Sequence, residues 1–211
     1  MGKLSGIKLF MLDMDGTFYL GDTLLPGAKE FLAACKRHRV GSTFLTNNPS
    51  KGADDYIEKL ARLGVQIGRE QMLTSGDATL HYLRQQGMGR ELLLIGTPSR
   101  ERQFGEAGYN LNSENPKAVV LGFDTTLTYA KLCALCDAVR AGLPYIATHP
   151  DYNCPVPGGF IPDIGAVIAF VQASTGRSPD VVVGKPNGTI AQMAADRAGL
   201  PLGQICMVGD R

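Results

Sequence analysis

The chain has 211 residues, 44% of them hydrophobic, and 21 lysines and arginines against 20 aspartates and glutamates, a formal net charge of +1. That length holds one domain, or a domain with a modest insertion, and the apolar content builds a core rather than a disordered chain. The near-neutral balance excludes a dedicated nucleic-acid binder, and no apolar run approaches the ~18 residues that span a bilayer, so no membrane role is expected.

In chain order, strand-like and helix-like periods alternate throughout. Residues 7–12 read as a buried strand and 26–39 as a helix with proline at its start. Next come strand 40–46, helix 54–63, strand 71–74 and helix 78–86. A second series follows: strand 91–95, helix 99–107, strand 118–122, helix 127–141 and strand 144–148. Helix 166–175, strand 180–183, helix 189–198 and strand 204–208 complete it. Strands separated by helices of this length predict an α/β fold of parallel, Rossmann-like sheets with right-handed crossovers. Five scattered cysteines, Cys35, Cys133, Cys136, Cys154 and Cys206, with no signal peptide in Met1–Gly6, predict free thiols in a reducing, cytoplasmic setting. Cys133 and Cys136 form a CxxC, but no second pair completes a zinc site; both are expected in the apolar stripe of helix 127–141.

Ligands of open α/β sheets gather beyond the carboxyl ends of strands. After the first strand comes Asp13-Met14-Asp15-Gly16-Thr17. Two carboxylates this close at a strand end repel unless a cation or a chemical task holds them. After the second strand comes Thr46-Asn47-Asn48, a hydroxyl and loop amides suited to an oxyanion. Gly184-Lys185-Pro186 follows strand 180–183, and Gly209-Asp210 follows the last strand. Lys185 or Asp210 alone would read as a solvated side chain; their order along the chain gives them weight. Carboxylates and water suit magnesium, a hard cation that takes oxygen ligands. The lysine and the amides suit a phosphate.

The DxDGT at 13–17, with Thr46, Lys185 and Asp210 in order, resembles the four motifs of the haloacid dehalogenase-like superfamily. Leu45–Ser50, Val183–Pro186 and Val208–Arg211 are similar, more narrowly, to its class IIA, the NagD-type or p-nitrophenylphosphatase-like hydrolases. The resemblance implies a magnesium-dependent phosphatase that acts through an aspartyl-phosphate. In it Asp13 would be the nucleophile and a metal ligand. Asp15 would be the general acid/base, its carbonyl also on the metal. Thr46 and the Asn47 amide would hold phosphoryl oxygens, Lys185 would bridge nucleophile and phosphate, and Asp210 would bind the metal. Sugar phosphates, nucleotides and phosphoglycolate are the substrate classes left open. A phosphotransferase or mutase on the same site, or a non-catalytic binding protein, are the competing readings.

The residues between Asn48 and Lys185 far exceed the ~10–12 of one crossover. They predict an inserted α/β cap at 83–178 in a core of 1–82 and 179–211, as the class also implies. The Gly/Pro-rich stretch 148–165 reads as the cap's binding loop, with His149 and Asp151 as contacts to the leaving group. The resemblance further implies a homodimer through the cap. It also implies a longer protein, with another acidic residue, helix and strand beyond Arg211, so the chain is expected to be C-terminally truncated.

Overall fold

The computed structural model describes residues 4–47, 52–156 and 158–209. The elements begin with β1 (Leu9–Asp13), β2 (Tyr19–Leu20), β3 (Thr23–Leu24), α1 (Ala28–Arg37), β4 (Gly41–Thr46), α2 (Ala53–Arg62) and β5 (Met72–Thr74). There follow α3 (Ser75–Gln85), β6 (Leu92–Ile95), α4 (Pro98–Glu106), β7 (Ala118–Leu121), α5 (Tyr129–Arg140) and β8 (Tyr145–Ala147). The chain goes on through β9 (Asn153–Val156), β10 (Gly159–Pro162), α6 (Ile164–Thr175), β11 (Val181–Val182), α7 (Thr189–Ala198) and β12 (Ile205–Val208). No helix among the described residues is long and apolar enough to cross a membrane.

The chain divides into two compact units. One holds Met1–Thr46, Lys51–Thr74 and Ile190–Arg211; the other holds Asn47–Ser50 and Ser75–Thr189. The expected cap limits, 83 and 178, both fall inside the second unit. Its extra length comes from α3, whose Asp77 accepts from Gln103 of α4 at 3.1 Å, and from β11, which pairs with β8.

In the first unit, four parallel strands of the described residues are ordered β12-β1-β4-β5. The chain moves one way from β1 to β5, then returns to lay β12 on the other side of β1. The sheet order therefore reverses beside β1, and in such folds a ligand crevice opens at the carboxyl end of that point. Strand alternation splits the apolar residues of β1 between two faces. Phe10 and Leu12 join the cluster that holds Cys35 of α1 and Tyr56 and Leu60 of α2. The Phe10 ring meets Phe31 of α1 edge-on at 5.1 Å between centroids. On α2 the i, i+4 pair Tyr56 and Leu60 is buried, and the Gly52 amide donates to Asp55 Oδ2 at 2.7 Å to close its first turn.

The second unit repeats the architecture with parallel strands ordered β11-β8-β7-β6. Here sequence order and sheet order agree. Buried residues of β7 and β8 pack with Leu135, Cys136 and Val139 of α5 and with Ile164 and Val171 of α6. Cys133, expected beside Cys136, is exposed. Three residues along a helix returns to one face only approximately, and Leu135, Cys136 and Val139 already fill the stripe. The stretch expected as loop contains the antiparallel hairpin β9–β10, with Pro155 in one strand. A proline and exposed alternate residues hide such a two-stranded ribbon from periodicity.

Candidate active site

The strand ends of the two units carry different chemistry. In the first, Asp13 closes β1 and is half-buried, and Asp15 is exposed. The loop between them and the β2–β3 hairpin is tight. Phe18 and Tyr19 amides donate to the Met14 carbonyl at 2.9 and 3.1 Å, and the Gly16 amide donates to the Tyr19 carbonyl at 2.9 Å. That closure fixes Asp15 at the apex of the turn. The Met14 amide donates to Asp13 Oδ1 at 2.8 Å, which fixes the side-chain orientation at the strand end. At the end of β12 the Gly209 backbone passes Asp13, since a Cβ there would lie 3.7 Å from Asp13 Cβ. Residues 13, 15 and 209 thus share the reversal point of the sheet. Asp210 and Asn48 lie outside the described residues.

Tyr19 belongs to this group although it lies outside the DxDGT motif. It is fully buried, its hydroxyl donates to Asp15 Oδ2 at 3.5 Å, and Lys59 Nζ sits 3.9 Å from its ring centroid. Burial, then the Asp15 charge, raises its phenol well above the usual range, so it stays a donor. Thr46, buried at the end of β4, pairs with Thr74 of β5 in the sheet register.

In the second unit, Asn47 and Lys185 come together although 138 residues apart. Asn47 Oδ1 accepts from the Lys185 amide at 2.9 Å, and Asn47 Nδ2 donates to the Lys185 carbonyl at 3.0 Å. The same Nδ2 donates to Asp151 Oδ2 at 3.2 Å. Asn47 is 6% exposed. The Gly184 amide donates to the Thr148 carbonyl at 2.9 Å, and Lys185–Pro186 is a cis peptide.

His149 is placed differently from the expected ligand contact. It is 0% exposed, with Nδ1 3.0 Å from Thr148 Oγ1 and Nε2 2.9 Å from Asp163 Oδ1. Asp163 Oδ1 also accepts from the Ile164 amide at 2.6 Å and caps α6. Both ring nitrogens are engaged inside the fold, which leaves His149 no edge for a leaving group. Asp151, the other expected contact, is half-buried, and its Oδ2 accepts from Asn47. Neither Asp163 nor the Asn47 side chain was singled out from sequence, because partners so distant in the chain leave no local pattern.

Among the described residues no cluster of three or more His, Cys, Asp or Glu side chains could by itself hold a metal ion. Asp13 and Asp15 supply hard oxygen donors only, a set that fits magnesium rather than a softer metal.

The profile of the haloacid dehalogenase-like hydrolases matches residues 10–110. An acid sugar phosphatase from Staphylococcus aureus is 34% identical over 204 residues, 96% of this chain and 78% of its own length. The chain belongs to the haloacid dehalogenase-like hydrolases, in their NagD-type class. As a member of that family it is a phosphomonoesterase. A crystal structure of 4-nitrophenylphosphatase from Thermotoga maritima superposes with a TM-score of 0.92 at 46% identity, covering 100% of this chain and 81% of that one. A glycerol phosphate phosphatase from Mycobacterium tuberculosis in complex with magnesium does so with a TM-score of 0.86 at 29% identity, covering 97% of this chain and 62% of that one.

Proposed function

We propose that the enzyme hydrolyses a small phosphorylated metabolite in the presence of magnesium, through a phosphoryl group carried transiently by Asp13. The observation that carries this reading is the Asp13–Asp15 pair on a tight loop at the reversal point of the first sheet. An Asp13 oxygen attacks phosphorus and the bond to the leaving oxygen breaks. Asp15, protonated, gives its proton to that oxygen. It then takes a proton from water as the water oxygen attacks the aspartyl-phosphate, releasing phosphate and restoring both carboxyl groups. Tyr19 holds the Asp15 carboxylate by its second oxygen.

Thr46 and the Asn47 amide hold phosphoryl oxygens, and the Lys185 ammonium offsets the negative charge brought together by carboxylate and phosphate. Magnesium, held by Asp13, the Asp15 carbonyl and Asp210, would supply further neutralisation of that charge. The magnesium-bound relative from M. tuberculosis supports this choice of ion. The relatives named for sugar phosphate, nitrophenyl phosphate and glycerol phosphate support small alkyl and aryl monoesters as the substrate class.

The test is hydrolysis of p-nitrophenyl phosphate, followed by a screen of sugar phosphates, nucleotides, glycerol phosphate and phosphoglycolate. Activity is expected to fall roughly a hundredfold or more on chelation and to return with magnesium. Turnover undiminished in excess chelator would contradict the metal, and transfer to an added alcohol in place of water would point to a phosphotransferase.

A further inference from the structure

The side-chain amide of Asn47 has three partners, and they fit it in one orientation only: both N–H groups donate and Oδ1 accepts. Oδ1 takes the Lys185 N–H, while Nδ2 serves the Lys185 carbonyl and the Asp151 carboxylate. Turned over, the amide would set its oxygen against a carbonyl and a carboxylate and its NH2 against an N–H. One orientation is therefore satisfied, and the acceptor-only Asp151 helps to select it.

Asp151 is itself held in place. Its carbonyl accepts from the Gly165 amide at 2.8 Å, and the next carbonyl, of Tyr152, accepts from the Asp163 amide at 2.9 Å. The His149–Asp163 bond pins the same loop from its other end. Space is exhausted around this arrangement. A Cβ at Gly184 would lie 2.6 Å from Asn47 Oδ1 and 2.7 Å from the Thr148 carbonyl oxygen, and one at Gly165 would lie 2.5 Å from the Pro150 carbonyl oxygen.

We propose that the Asn47 side chain, oriented by Asp151, is a positioning residue that clamps the Lys185 backbone and so fixes where the ammonium of Lys185 stands. The proposal rests on the role given to Lys185 above. It assigns Asn47 a task separate from that of its own backbone amide, and it makes Asp151 an orienting group rather than a substrate contact. A long side chain pivots on its backbone, and small displacements of a charge that must meet a transition state are expensive in rate.

Kinetics on p-nitrophenyl phosphate, with thermal melts, test it in Lys185→Ala, Asn47→Ala and the double variant. Lys185→Ala is expected to lower kcat by about a hundredfold or more, and Asn47→Ala by roughly ten- to a hundredfold. In the Lys185→Ala background, Asn47→Ala should change kcat by less than about threefold, because its effect passes through the missing ammonium. Equal losses in both backgrounds overturn the clamp, as does a lowered melting temperature with kcat intact. Full activity in Lys185→Ala overturns the premise itself and is distinguishable from either result.

Two further variants cover the case in which Asn47→Ala does not fold. Asn47→Asp keeps the volume and the acceptor for the Lys185 amide but sets a carboxylate oxygen against both Asp151 and the Lys185 carbonyl. Adding Asp151→Asn, which can donate to that carboxylate, should recover part of kcat; no recovery overturns the orienting role. Asp151→Ala should cost the same factor on p-nitrophenyl phosphate and glycerol phosphate, whereas a loss confined to one substrate would make Asp151 a leaving-group contact.

Discussion

Each unit of the molecule is built on a parallel sheet of four described strands, yet they put different things at their carboxyl ends. The first sheet reverses its order beside β1, and its loop leaves Asp13 half-buried and Asp15 exposed on a self-closing turn. The second runs in chain order, and its acids are spent internally. Asp124, with a side chain 2% exposed, meets Lys131 Nζ at 2.6 Å, and Asp163 meets His149. Its strand ends also border a cavity of about 140 Å³ lined by Ile95, Leu121, Phe123 and Ile164 together with Asp124 and Asp163. Parallel architecture alone therefore does not make a reactive site. Order reversal gives carboxylates room at a strand end, and a tight loop holds Asp13 half-buried and Asp15 exposed there.

The sharpest way to break this contrast is to neutralise one aspartate in each sheet. Asp13→Asn should lower kcat on p-nitrophenyl phosphate by at least about a thousandfold with little change in melting temperature. Asp124→Asn should do the reverse, leaving kcat within about threefold and lowering unfolding free energy by roughly 1–3 kcal/mol as Lys131 loses its charged partner. Loss of activity in both, or in Asp124→Asn alone, would erase the distinction.

His149 offers a smaller effect of the same kind. His149→Ala removes a buried ring and leaves Asp163 without its partner, so denaturant unfolding should show a loss of about 2–4 kcal/mol. The ranking of substrates should stay as it was. A changed ranking at unchanged stability would return His149 to the ligand.

The smallest test lies on α5. Cys136→Ser buries a hydroxyl in the core and should cost about 1–2 kcal/mol, whereas Cys133→Ser should stay within about 0.5 kcal/mol. A thiol reagent applied to the native enzyme should label Cys133 well before Cys136; the opposite order would place the wrong face of α5 against the second sheet.

Much of this was legible in the sequence, for physical reasons that can be named. Leu9–Leu12 is apolar on both faces because parallel strands are covered on both sides, and a carboxylate pair straight after such a run has few structural explanations. Helical and strand periods separate cleanly, and a proline opens helix 26–39, so most elements lie within two or three residues of expectation. The β9–β10 hairpin was not visible, because Pro155 and the exposed positions of a two-stranded ribbon read as loop. The stretch 148–165 around that hairpin also carries His149 and Asp151. Both looked like ligand contacts on a loop, but their partners, Asp163 and Asn47, are set by tertiary folding. The Asn47–Lys185 clamp spans both motifs without any periodicity to announce it. Asp210, expected to bind the metal, lies outside the described residues.

In the proposed reaction the phosphoryl group passes through Asp13. Rapid acid quenching of the enzyme during turnover of p-nitrophenyl phosphate, followed by peptide mapping, tests it directly. One acid-stable, hydroxylamine-labile phosphoryl group on the peptide carrying Asp13, absent in Asp13→Asn, is the expected result. Sustained turnover with no phosphorylated peptide, or with the group on Asp15, would contradict it.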